Sequence, residues 1–220
     1  RLGVPKLTDY LTLLRRDPNE LERFLDRVTI NVSQLWRNPD QWALLARQVL
    51  PELARNGRVK IWSAGCSYGA ECYTIAAVCM ECSPGVRVEV KGTDIDPRMI
   101  ERARAGIFSL DDTRTVPKAS LERWFEPVEK GWRAKAELRR LVSLERADLL
   151  TMAPPHQAYD LVLCRNVVIY FNEDVRDALH ARLANSLRPG GYLIVGSTER
   201  IAATREMALT LAHPFTYRKD

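Results

Sequence analysis

The chain has 220 residues, 46% hydrophobic and 28% charged, which suits one ordinary soluble domain with a small appendage. No apolar run approaches the roughly 18 residues that a membrane span requires, and the opening RLGVPKLTDYL lacks the apolar segment of a secretory signal. The formal charge of +5 does not by itself decide about anionic partners; with no signature of interleaved aromatics and no zinc-finger spacing, no nucleic acid partner is expected.

The sequence starts at Arg1 without a Met, so a trimmed end is expected. Cys66, Cys72, Cys79, Cys82 and Cys164 are odd in number and lie in apolar surroundings, which points to reduced thiols and a cytoplasmic setting. Cys79 and Cys82 form a C-x-x-C. No second such pair accompanies it, and His156, His180 and His213 lie far along the chain, so two helix cysteines packed one turn apart are expected, and no metal.

Residues 7–54 read as helices. LTDYLTLLRR places Leu7, Tyr10, Leu11 and Leu14 at helical spacing, and NELERFLDRV follows after a break at Pro18 and Asn19. NPDQWALLARQVLPELARNG carries Pro39 near its start, an apolar stripe of Trp42, Leu45 and Leu50, and Gly57 as its stop. From Arg58 the period changes. RVKIWSA reads as a strand, AECYTIAAVCMEC as a helix, VRVEVKGTD as an alternating strand and PRMIERARAG as a helix closed by Gly106. Further on, YDLVLCRN reads as a buried strand, NEDVRDALHARLANSL as a helix, and GGYLIVGS and PFTYRK as strands. This alternation implies a mostly parallel α/β sheet.

The pattern breaks between Thr113 and Arg146. Here Trp132, Ala134, Ala136 and Leu138 alternate with Arg133, Lys135, Glu137 and Arg139, which predicts an inserted antiparallel ribbon at about 113–146. Its basic residues Lys130, Arg133, Lys135, Arg139, Arg140 and Arg146 read first as a solvated face, and second as a docking surface for an acidic partner.

Ligands of an open α/β sheet bind beyond the carboxyl ends of its strands. Those ends are Gly65–Glu71 and the segments 93–96 (TDID), 147–150 (ADLL) and 164–171 (CRNVVIYF). The G-x-x-x-G of Gly65 and Gly69 is neither the dinucleotide nor the P-loop pattern, which disfavours an NAD-dependent oxidoreductase. Asp96, directly before Pro97, reads as a helix cap. Asp94 is then left free to accept from both hydroxyls of a ribose. Glu71 either meets its own helix dipole or an ammonium group. A nucleoside with an amino acid tail satisfies Asp94 and Glu71 together, which points to S-adenosylmethionine. Gly65 and Gly69 would let the backbone approach that tail.

The segments KIWSAGCSYGAECYTIA, GTDIDPRMIERARAGIF, YDLVLCRNVVIYF and LRPGGYLIVGSTE closely resemble the CheR-type chemotaxis methyltransferases, and the resemblance runs from about Leu7 to Lys219. It implies a Rossmann-like class I methyltransferase sheet with helices on both faces, a small N-terminal helical domain over 1–56, and a cofactor-binding domain over 57–220 that holds the inserted antiparallel β subdomain. It implies methyl transfer from S-adenosylmethionine, leaving S-adenosylhomocysteine, to glutamate side chains on the cytoplasmic helices of chemoreceptors, for chemotaxis adaptation. The partner implied is the receptor, met by a monomer with no membrane insertion.

Residues 29–38, TINVSQLWRN, correspond to the family's T-x-N-x-T-x-F-F-R. The cofactor contacts carried over fall on Asn31, Ser33, Arg37, Glu71, Asp94, Asp148, Leu149, Arg165 and Asn166, with Gly65 beside them. Arg37 and Tyr170 correspond to the residues that border the reacting methyl and are the catalytic candidates. The plainer reading of Tyr170 is a core aromatic at a strand end, and of Arg37 a surface ion pair. Several positions depart from the family pattern. Its G-E-E-P-Y is here Gly69-Ala70-Glu71-Cys72-Tyr73, its Phe-Phe-Arg is Leu35-Trp36-Arg37, and its Asn before Leu149 is Asp148, whose carboxylate still accepts from an adenine amino group. An active enzyme is implied. The family's basic N-terminal helix is expected to end before Arg1, and the short FEPVEKGW loop resembles the type that works without a receptor-tail pentapeptide. A cofactor-binding regulatory protein, or a methyltransferase of a non-chemotaxis protein, stays open beside this reading.

Overall fold

The computed structural model describes residues 7–17, 20–21, 24 and 33–220. The chain divides into two compact units, Arg1–Val32 and Ser33–Asp220. The first holds helix α1 (Leu7–Arg16), as its spacing predicts; Leu14 of the expected apolar stripe is buried, while Leu7 and Leu11 are exposed. In the same unit the Tyr10 hydroxyl donates to Glu20 Oε1 at 3.0 Å. Most of the second expected helix, and Asn31, lie outside the described residues.

The second unit opens with helix α2 (Pro39–Leu44), which continues through a π turn (Leu45–Val49) into α3 (Leu50–Leu53) and a closing 3-10 turn (Ala54–Asn56). The expected stripe is real: Trp42, Leu45 and Leu50 are all buried. The π turn has an identifiable cause. Pro51 has no amide hydrogen and its ring crowds the preceding turn, so the backbone widens just before it. Gly57 ends the run at φ +70°.

A seven-stranded sheet follows, in the order β6-β2-β1-β7-β8-β10-β9. Its strands are β1 (Arg58–Ala64), β2 (Arg87–Asp94), β6 (Val142–Arg146), β7 (Tyr159–Cys164), β8 (Leu187–Val195), β9 (Leu209–His213) and β10 (Thr216–Lys219). The β2–β1, β1–β7, β2–β6 and β7–β8 pairs are parallel, and the β8–β10 and β10–β9 pairs are antiparallel. Each residue of β7 is buried, as expected of a central strand covered on both faces. Helices α4 (Ala70–Cys82), α5 (Pro97–Ala105) and α8 (Glu173–Ser186) link the parallel strands. Helix α4 is buried at almost every position because it packs against β2 and β6 on one side and the π turn and α3 on another. Small residues, among them Ala70, Ala76, Ala77 and Cys72, permit that approach. Cys79 lies in this core, and Cys82 is at the surface.

The inserted antiparallel sheet exists but is not the expected ribbon. It has the order β3-β5-β4, from β3 (Ile107–Ser109), β4 (Phe125–Val128) and β5 (Gly131–Ala134), preceded in part by the short helix α6 (Lys118–Trp124). The alternation that begins at Trp132 stops at Ala134. Residues 136–139 form helix α7 (Ala136–Arg139), and β6 belongs to the main sheet. The cause is an ambiguity of short periods. Ala134 and Leu138, both fully buried, are four apart and satisfy a helical turn as well as a strand face. Phe108 at the centre of the small sheet packs edge-on against Phe125 and Tyr73.

His180 on α8 is fully buried, and neither ring nitrogen has a hydrogen-bond partner among the described residues. Burial pushes its pKa down to about 4, with Asp177 opposing and Arg176 adding to the shift. The folded state therefore holds it neutral, whereas in the unfolded chain it titrates near 6.5. Its contribution to stability is complete above that value and is lost as pH falls toward about 4. Urea unfolding of wild type and His180→Leu should show a stability difference that shifts in favour of the variant by about 1.4 kcal/mol per pH unit across this window. A difference independent of pH would show that His180 is protonated in the fold.

Candidate active site

The strand order reverses between β1 and β7, and their carboxyl ends open the crevice where such sheets bind ligands. Gly65–Glu71 leaves β1, Asp94 ends β2, Asp148 and Leu149 follow β6, and Arg165–Tyr170 follows β7. The fold thus brings Gly65, Glu71, Asp94, Asp148, Leu149, Arg165, Asn166 and Tyr170 to one end of the sheet.

The glycine turn has its own structural reasons. Gly65 and Gly69 have φ of +80° and +84°, where other residues are strained. A side chain at Gly65 would lie 2.5 Å from Val167 Cγ2, and one at Gly69 would lie 2.9 Å from Ala103 Cβ. Close packing against Val167 and Ala103 is thus one reason for glycine at both positions. The Thr93 carbonyl accepts from the amides of Gly65 and Cys66 at 2.8 and 2.9 Å, which ties the turn to the end of β2.

Asp96 caps α5, accepting from the Arg98 amide at 2.8 Å, as expected. Asp94, expected to be free, is not. Its Oδ2 accepts from the Ser67 amide at 2.7 Å and its Oδ1 from the Asp96 amide at 3.0 Å. Burial raises its pKa, and those amide bonds oppose the rise. Each carboxylate oxygen keeps a second lone pair for a ligand hydroxyl.

Glu71 likewise has partners in the protein. Its Oε1 accepts from Ser63 Oγ at 2.7 Å, and its Oε2 pairs with Arg165 Nη1 at 3.1 Å. Arg165 is 8% exposed. Its Nη2 donates to the Arg37 carbonyl at 3.0 Å and to Asn38 Oδ1 at 2.9 Å, and its guanidinium lies 5.1 Å from the Trp42 ring centre. Ala70, where the family's first acid is expected, is fully buried.

The segment carrying Ser33 and Arg37 is held at many points. The Leu35 amide donates to the Asp112 carbonyl at 3.0 Å, Thr115 Oγ1 to the Leu35 carbonyl at 2.7 Å, and the Trp36 amide to Thr74 Oγ1 at 3.1 Å. Leu35 and Trp36 are buried, and Ser33 and Arg37 are half-buried. Trp36 and Asn38 both have positive φ, 54° and 60°, so the chain folds back around Arg37. Arg37 is thus carried on a backbone segment that Leu35 and Trp36 anchor in the interior.

Beyond β7, Asn166 has φ 59°, and Val168–Tyr170 forms a 3-10 turn. Tyr170 is 58% exposed, which rules out the core-aromatic reading and places it at the rim. Asp148 Oδ1 accepts from the Leu150 amide at 2.8 Å and shapes the turn after β6, while Leu149 is buried against Trp62 and Val162. Residues that the sequence pattern does not single out complete the site. The Tyr68 hydroxyl donates to Asp112 Oδ1 at 2.9 Å, its ring faces Arg102 at 3.8 Å, and burial raises its pKa. Asp112 and Thr74 belong to no recognisable motif, so spacing carries no signal for them.

Removing Arg165 leaves the Glu71 charge uncompensated and takes a donor from the Arg37 carbonyl, which keeps Trp42 Nε1 at 2.8 Å. Arg165→Met should cost about 3–5 kcal/mol in urea unfolding, and combining it with Glu71→Met should recover part of that loss. Strictly additive losses would show that the two charges are not coupled.

Comparisons with known proteins place the chain in a family. The family profile described as CheR methyltransferase, SAM binding domain matches residues 31–214. Chemotaxis protein methyltransferases of Listeria innocua and Listeria monocytogenes are 33% and 34% identical over 216 residues, 96% of this chain and 81% of each relative. A probable chemotaxis protein methyltransferase of Rhizobium etli is 32% identical over 230 residues, 99% of this chain and 86% of that protein. This chain therefore belongs to the CheR methyltransferase family and carries its S-adenosylmethionine-binding domain.

Proposed function

We propose that the chain methylates glutamate side-chain carboxylates on the cytoplasmic helices of chemoreceptors. The observation that supports this most is the gathering of Glu71, Asp94, Asp148, Arg165 and Asn166 at the carboxyl ends of β1, β2, β6 and β7, with Tyr170 exposed at their edge. The residues fit S-adenosylmethionine. Ser67 Oγ and Arg165 Nε are buried with no hydrogen-bond partner among the described residues, so polar capacity remains beside the turn. On this reading Glu71 and Arg165 face the zwitterionic tail, Asp94 the ribose, and Asp148 with Leu149 the adenine. Ser33 and Arg37 border the site from the segment before the sheet; Asn31 is assigned with them from the family motif alone.

When bound, the donor supplies an activated methyl group. A glutamate side chain in water titrates near about 4.3, so the acceptor carboxylate is ionised at neutral pH and no general base is needed. The protein's part is to position the reactants and exclude water. Arg37 orients the incoming carboxylate by charge-assisted hydrogen bonds, and Tyr170 fixes its approach from the rim. The β4–β5 hairpin turns on Glu129 and Lys130, with Val128 paired to Gly131. So tight a turn supports methylation independent of a receptor-tail pentapeptide. Among the described residues no helix is long and apolar enough to cross a membrane.

The decisive test is transfer of radiolabelled methyl to receptor cytoplasmic fragments from the same cell, with and without their tails. Alkali-labile label on both is expected. Binding of S-adenosylhomocysteine without label on any fragment would favour the regulatory reading. Asp94→Ala should weaken S-adenosylhomocysteine binding at least about tenfold by calorimetry, and unchanged affinity would remove Asp94 from the site. Arg37→Ala should reduce transfer far more than it reduces that affinity; full turnover would end its catalytic assignment.

A further inference from the structure

β7 and β8 run in parallel, with Cys164 beside Val195 at their ends. Both strands must turn at once, at Asn166 and at Gly196. One carboxylate holds both turns. Glu199 is 4% exposed, and its Oε2 accepts from the Gly196 amide at 2.6 Å and from the Asn166 amide at 2.9 Å. Gly196 makes room for it: a side chain there would lie 2.6 Å from Glu199 Oε2 and 3.0 Å from the Asn166 amide. Among the described residues Glu199 Oε1 is buried with no hydrogen-bond partner, and no ion pair to Glu199 occurs.

Burying a carboxylate for two main-chain amides is costly, so an apolar side chain would serve packing better. What the carboxylate supplies is an acceptor at the Asn166 amide, where the chain enters φ 59°. That turn sets the next residues. Val167 lies against Gly65, and Ile169 and Tyr170 emerge exposed at the rim.

We propose that Glu199 is a positioning residue for methyl transfer, fixing through the Asn166 amide the turn that presents Asn166 and Tyr170 to the reactants. The roles of those two residues rest on the function proposed above. The test compares Glu199→Leu, which has no acceptor, with Glu199→Gln, which keeps one. In Glu199→Leu, NMR-detected hydrogen exchange at the Asn166 amide should rise about tenfold or more, while Leu163 and Leu193 in the strands stay protected. The kcat for methyl transfer should fall about tenfold, with KM for the receptor fragment changed less than about threefold, and Glu199→Gln should restore both. Full kcat in Glu199→Leu overturns the proposal. So does equal loss in both variants, or loss of protection throughout the sheet. If wild type labels no receptor fragment, the substrate assignment fails separately, and Asn166 exchange together with S-adenosylhomocysteine affinity still decides the role of Glu199.

Discussion

The arrangement around the crevice depends on one buried cation. Arg165 follows β7, Glu71 opens α4, and Arg37 and Asn38 lead into α2, so a single guanidinium sets three chain segments against one another. Neither Arg165 nor Glu71 tolerates its position alone, because an unpaired charge there has lost its water without compensation. The planar fork of Arg reaches Glu71, a carbonyl and an amide oxygen at once, beside the Trp42 ring. A Lys ammonium has neither the reach nor the fixed directions for that set.

A second theme is the use of carboxylates to hold main-chain turns. Asp94 takes amides from Ser67 and Asp96, Asp148 takes Leu150, Asp112 takes Ser109, and Glu199 takes Gly196 and Asn166. Charge-assisted bonds of this kind are stronger than neutral ones and fix loops that would otherwise sample several shapes. These acids therefore shape the loops first, and on the proposed reading Asp94 and Asp148 have only their remaining lone pairs to offer a ligand.

Much of the fold was legible because its signals are local. The limits of β1 and α4, the Asp96 cap before Pro97 and the Gly106 stop all follow from residue type and period within a few positions. Where the expectations failed, a distant partner had decided the outcome. The stretch from Trp132 to Leu138 fits two periods, and only its packing chose between them. The strand Leu209–His213 is a sheet edge with Leu209 buried and Leu211 exposed, and its five residues are too few for the Leu-Thr-Leu alternation to stand out. Asp94 looked free because the amide it holds, that of Ser67, lies 27 residues away. At Gly65 and Gly69 the atoms that exclude a side chain belong to Val167 and Ala103, far along the chain, so residue type alone does not reveal that packing.

The ion pair also bears on the chemistry proposed for the site. A lone carboxylate at the start of α4 would favour any cation, and a lone Arg any anion. Side by side, Glu71 and Arg165 present both signs and match a ligand that carries both. An amino acid tail is such a ligand, and a pyrophosphate is not. On the reading proposed for the site, that pairing favours an amino acid tail over a pyrophosphate before any contact to ribose or adenine is counted.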